Sequence, residues 1–118
     1  MRISDAERKV LTIVWDTDGI TAKELSERLA ETTAWSKTTS YTMITRCINK
    51  GYLRREDPKF RCYAVLSREQ VAKMETDALL QNDYHGSADM LVAALVSEKK
   101  LSAKQLEALY RSVAEIEQ

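Results

Sequence analysis

Three observations predict a mainly α fold carrying one small β-hairpin. Ser or Thr stands three residues ahead of Glu or Gln, before an apolar helical period, at Ser4/Glu7, Thr21/Glu24, Ser67/Gln70 and Ser102/Gln105, each the signature of a helix start. After Gly51 the pattern changes from helical period to that of two short strands, arranged around the breaker Asp57-Pro58-Lys59. From Leu66 the pattern is helical to the end. A chain of 118 residues with 44% apolar content suffices for one core, or for a small domain with an arm.

Taken in order, Ala6, Val10, Leu11, Val14 and Trp15 follow the first box at helical spacing and predict a helix from about 5 to 16, stopped by Asp16, Asp18 and Gly19. Ile20, Thr21, Glu24 and Leu25 combine a hydrophobic staple with a box, opening a short helix that buries Leu25 and Leu29 and ends near Glu31. Thr32 to Ser36 is a turn with one large apolar residue, Trp35.

The third helix lies within WSKTTSYTMITRCINKGYL, residues 35–53, with Gly51 as its C-cap. Ser40, Ile44, Cys47 and Ile48 share its inward stripe; Thr38, Thr39, Tyr41, Thr42, Thr45, Arg46 and Asn49 fall on the other side. A solvated helix face usually carries Glu and Lys, whereas this one offers short donors and acceptors that suit phosphate oxygens and base edges. Alone, it reads equally well as an odd polar face on a core helix. A short helix, a brief turn and a helix with such a face is the helix-turn-helix order, in which the second helix enters the major groove of DNA. Tyr52 to Glu56 and Phe60 to Val65 are the strands that follow, and Arg54, Arg55, Lys59 and Arg61 make the hairpin basic. Alone these cations describe a solvated hairpin; after the polar helix they describe a wing that touches the sugar-phosphate backbone.

In the second half, the Leu66, Ser67, Gln70 and Val71 start opens a helix with Val71, Met74, Ala78 and Leu79 on one stripe, and Gln81 to Gly86 form a polar break. Ser87 caps a short apolar helix over 90–96, and a last helix presents Leu106, Leu109, Tyr110, Val113 and Ile116. Three short helices enclose little core among themselves, so they pack either back on the first half or, the favoured reading, on the same arm of a second chain. The predicted division is a winged-helix domain over 1–66 and a helical dimerisation arm over 67–118, with Met74, Leu79, Leu91, Leu95, Leu106, Leu109, Tyr110 and Val113 at the dimer interface.

The net charge of zero conceals an asymmetry. Residues 1–65 hold 12 Lys and Arg against 9 Asp and Glu, residues 66–118 hold 6 against 9, and residues 37–61 hold 7 against 2. A polyanion-facing half joined to an acidic half follows. The N-terminus lacks an apolar signal core and no apolar run is long enough to span a bilayer, which predicts a cytoplasmic protein without membrane insertion. Cys47 and Cys62 form no CxxC, fit a reducing compartment and read as small core residues. His85 is the single histidine, so a metal site is not defined; no catalytic set or phosphate loop appears, and neither enzyme nor cofactor is expected.

SDAE at 4–7, TAKEL at 21–25, the whole 35–53 stretch, SREQV at 67–71 and LVAALVSEKKLSAKQLEAL at 91–109 resemble the BlaI/MecI/CopY family of transcriptional repressors. Trp35-Ser36 with Thr38-Thr39, Thr42 with Thr45-Arg46, and Lys50-Gly51 are the most specific parts. The resemblance implies a winged helix, a C-terminal dimerisation arm, binding to a palindromic operator in double-stranded DNA, and an upstream sensor or protease. Four departures stand out: Lys37 replaces the usual proline, Ser40 replaces an apolar β-branched residue, Ala94-Leu95 match the Asn-Phe cleavage position of the β-lactam-responsive members, and the cysteine-rich tail of the copper-responsive members is lacking.

The expected DNA-binding set is Lys37, Thr38, Thr39, Tyr41, Thr42, Thr45, Arg46, Lys50, Arg54, Arg55, Lys59 and Arg61. Two alternatives are a winged-helix protein-interaction module and a small-molecule-sensing repressor with a pocket between arm and wing.

Overall fold

The helix starts written into the sequence are formed in the structure, a computed structural model that describes residues 3–118. α1 (Asp5–Trp15) opens on a reciprocal box: Glu7 N donates to Ser4 Oγ at 3.1 Å and Ser4 N donates to Glu7 Oε1 at 2.9 Å. Thr21 caps α2 (Ala22–Thr33) by accepting from Glu24 N at 3.2 Å. The expected end at Glu31 is passed by two residues, Thr32 and Thr33, whose hydroxyls donate back to the Arg28 and Leu29 carbonyls within the last turn. Ala34 stops it in the left-handed region, with φ 61°.

α3 (Lys37–Asn49) starts with Thr39 N donating to Ser36 Oγ at 3.1 Å. It closes on a Schellman turn in which Gly51, at φ +80°, donates to Ile48 O and Tyr52 N donates to Cys47 O at 2.9 Å. That use of the Tyr52 amide makes the next strand begin one residue later than expected.

The sheet has three antiparallel strands, β1 (Ile20–Thr21), β2 (Leu53–Glu56) and β3 (Arg61–Ala64), in the order β1-β3-β2. Leu53, Arg54, Arg55 and Glu56 face Ala64, Tyr63, Cys62 and Arg61, while Ile20 and Thr21 pair with Cys62 and Arg61. The sequence predicts only the hairpin. A strand of two residues is too short to show a period, and Ile20-Thr21 reads locally as a helix start. Phe60, expected in the second strand, instead turns at φ 51° and accepts from Ala22 N through its carbonyl at 2.9 Å.

The core joins Val10, Leu11 and Val14 of α1 to Leu25 and Leu29, Met43, Ile44 and Cys47, Leu53, Cys62 and Val71. Met43 joins the inward face of α3, wider than the stripe drawn from spacing. Trp15 and Trp35 pack against this core half-buried, and Trp15 Nε1 donates to Leu66 O at 2.8 Å.

Ser40 breaks the pattern. It is fully buried, and among the described residues its hydroxyl has no partner; the Ser36 carbonyl, which could have taken it, accepts the Ser40 amide. An unmet buried hydroxyl costs about 1–3 kcal/mol, so Ser40→Ala should stabilise the fold by about 1 kcal/mol, read as a higher urea midpoint at unchanged slope. A lower midpoint would show that the hydroxyl is satisfied.

The chain falls into two compact units, the first ending at Glu75 and the second running from Thr76 to Gln118. α4 (Arg68–Asp83) opens on the Ser67/Gln70 box and continues through Gln81 into the segment expected to break it. Polar side chains are tolerated on an exposed helix, and termination waits for His85 and Gly86, both at positive φ, with Gly86 N donating to Leu80 O at 2.8 Å. α5 (Ala88–Ser97) is capped by Ser87, and α6 (Ala103–Ile116) by the Ser102/Gln105 box. No side chain from 76 to 118 is buried. Among the described residues no helix is long and apolar enough to cross a membrane.

Candidate nucleic-acid interface

The outer face of α3 is a shallow, open surface, its cleft lining made by Lys37, Thr38, Tyr41, Thr42, Thr45, Arg46, Asn49 and Lys50. α3 contains no acidic residue, and Thr38, Thr42, Thr45, Arg46 and Asn49 are exposed along it. Thr42 Oγ1 donates to Thr38 O at 2.9 Å, which fixes its rotamer and leaves the oxygen free to accept. Asn49 was on the outer stripe but outside the expected set; its amide, one turn beyond Arg46 and Thr45, offers the paired donor and acceptor that match an adenine edge. Thr39 lies apart from the cleft lining and completes the cap, receiving a hydrogen bond from Ser36 Oγ at 3.0 Å.

Tyr41 is half-buried and acts as a strut. The Phe60 ring meets it edge-on at 6.1 Å, the Arg55 guanidinium lies 3.7 Å from the Phe60 centroid, and Lys37 Nζ sits 5.9 Å from the Tyr41 ring. The stack ties the hairpin turn to α3. Arg55 also pairs with Asp57 at 2.9 Å. Its neighbour Arg54 alternates to the opposite face, 4.2 Å from the Tyr63 ring and paired with Glu56. Arg61 is used inside the fold, donating to Gly19 O at 2.8 Å, whereas Lys59 is exposed at the hairpin turn. The four hairpin cations therefore do not make one surface.

Lys50, the C-cap of α3, has a different environment from Lys37 at the start of that helix. Its ammonium lies 2.7 Å from Oε2 of Glu7, a carboxylate only 1% exposed. Burial pushes the Glu7 carboxyl up, but the ion pair with Lys50, which is close without the alignment of a hydrogen bond, and the hydrogen bonds of Ser4 outweigh it and hold the group below the usual glutamate value. The same Glu7 carboxylate raises Lys50 above the usual lysine value. The Glu7 contribution to stability is present above the unfolded carboxylate value and lost as pH falls through the lowered one; that of Lys50 is lost as pH rises through its raised value.

Burial pushes the Cys47 thiol up to about 12 and the Cys62 thiol up to about 11, so both are protonated apolar fillers at neutral pH. Among the described residues no group of three or more His, Cys, Asp or Glu is placed to hold a metal.

Of the expected dimer residues, Met74, Leu79, Leu91, Leu95 and Leu106 are half-buried, while Leu109 is 52%, Tyr110 75% and Val113 52% exposed. Ala94 and Leu95 lie inside α5, half-buried, with their carbonyls accepting from Glu98 N and Lys100 N.

Known proteins are similar to this chain in sequence and in fold. The penicillinase repressor of Bacillus licheniformis is 28% identical over 116 residues, covering 97% of this chain and 91% of its own. The methicillin resistance regulatory protein MecI of Mammaliicoccus sciuri is 29% identical over 109 residues, 91% of this chain and 89% of its own. The solution structure of the DNA-binding domain of the repressor BlaI superposes with a TM-score of 0.54 at 30% identity, over 59% of this chain and 93% of that one. The monomeric form of Bacillus licheniformis BlaI in complex with the blaP half-operator gives 0.52 at 32% identity, over 59% and 88%. The family model for penicillinase repressors matches residues 3–115, and the chain belongs to that family.

Proposed function

We propose that the chain is a homodimeric transcriptional repressor that reads a palindromic DNA operator with α3. The observation that carries this reading is the outer face of α3: exposed hydroxyls, one guanidinium and one amide, with no carboxylate to repel a phosphate. Thr38, Thr42, Thr45, Arg46 and Asn49 meet base edges in the major groove; Lys37, Arg55 and Lys59 supply backbone affinity beside it. The relative solved on the blaP half-operator supports the same use of the same domain.

The dimer rests on the second unit, which buries no side chain of its own and presents a continuous apolar stripe on α6. A second copy of that unit supplies the missing cover, and a two-fold pair sets two α3 helices on half-sites about 34 Å apart. Repression follows where the operator overlaps a promoter.

Selection of bound sites from random duplexes, with the solution mass recorded alongside, tests both parts. A palindrome bound by a particle of twice the chain mass is the expected result, with affinity falling by orders of magnitude between about 50 and 200 mM salt. No enriched sequence, or binding insensitive to salt, would transfer the basic surface to a protein partner.

A further inference from the structure

We infer that Lys50 is a positioning residue: through buried Glu7 it holds the C-terminal turn of α3 against the start of α1, and it is not one of the cations that grip phosphate. The inference rests on the DNA-binding reading of α3 and assigns a role within it.

Three observations converge. Both Glu7 oxygens are engaged, Oε1 by the Ser4 amide at 2.9 Å and Oε2 by the Lys50 ammonium at 2.7 Å, in a side chain 1% exposed. Lys50 is the C-cap of α3, its own amide donating to Arg46 O at 3.0 Å, so the tie is made at the turn that projects Arg46 and Asn49. The Tyr52 ring, itself buried, lies 5.9 Å from the same ammonium and flanks it on one side, the Lys50 side chain staying 40% exposed.

Swinging Lys50 out to a phosphate would leave a buried carboxylate unpaired. That penalty exceeds what one exposed ammonium gains at a phosphate. Lys37 is the natural contrast: also exposed, it stands at the first turn of α3, where its ammonium lies over the Tyr41 ring instead of against a buried carboxylate.

The experiment uses the full chain with the selected operator and a random duplex of equal length, measuring affinity against salt. Lys50→Met and Glu7→Gln should each lower operator affinity by roughly tenfold, the scale of one misaligned base contact, with random-duplex affinity and the salt slope unchanged. The double variant should lose no more than either single one. Lys50→Arg, which keeps a donor for Glu7, should retain wild-type affinity, and Lys37→Met, which removes one phosphate contact from each half-site, should reduce the salt slope by about 1.8.

A Lys50→Met loss equal on both duplexes, with a slope reduced by about 1.8 for the two chains of the dimer, would make Lys50 a phosphate contact and overturn the inference. An equal loss at unchanged slope with a lower melting temperature would also overturn it, by reducing the tie to plain stability. Wild-type protein with no preference for any sequence would remove the DNA reading first, and the inference with it.

Discussion

Leu109→Glu is expected to yield single chains in solution and to lower operator affinity by about 10² to 10⁴, the range lost when two linked binding events become separate ones. Leu109 is 52% exposed in the single chain and lies on the α6 stripe with Leu106, Tyr110, Val113 and Ile116. An isologous interface meets each change twice, so one substitution sets two carboxylates into an apolar seam where neither finds a partner. The surface outside the seam is untouched, and each chain keeps its α3 face. Light scattering gives the mass and fluorescence anisotropy on a labelled operator gives the affinity; affinity for one half-site should be preserved. A variant that stays dimeric would place the interface elsewhere in the second unit.

Arg46→Ala is expected to weaken operator binding by about 1–3 kcal/mol, five- to 150-fold, while changing affinity for random DNA little. Arg46 is exposed on the acid-free face of α3, between Thr42 and Asn49 along the groove-facing row. Its fork geometry matches the O6 and N7 acceptors of guanine, and losing that pair costs discrimination rather than general attraction. Repeating site selection with the variant locates the base pair, which should become degenerate in both half-sites. A loss of equal size on operator and random DNA would reassign Arg46 to phosphate.

Much of this was legible in the sequence because it is local chemistry. The box at Ser4/Glu7 and the cap by Gly51 act over a few residues, so residue type at fixed spacing predicts them, and one helical period separates Ile44 and Cys47 from Thr45 and Arg46. What escaped depends on partners far along the chain. β1 exists through its pairing with Arg61 and Cys62, Arg61 is drawn inward by the Gly19 carbonyl, and Lys50 is claimed by Glu7 from the first turn of α1. In each case the side chain reads as free until a distant backbone or carboxylate is brought beside it. Tyr41 reads from the sequence as one more outer-face residue for the same reason: only the left-handed turn at Phe60 brings a ring against it.

The sheet order leaves β2 as an outer strand, since β1 covers the far side of β3. Open strand edges are templates on which further chains polymerise, and proteins blunt them by brevity and charge. β2 has four residues, and Arg54, Arg55 and Glu56 follow one another along it. An incoming strand would have to strip water from three consecutive ions to gain a few backbone hydrogen bonds. The hairpin is thereby guarded against amyloid-like growth.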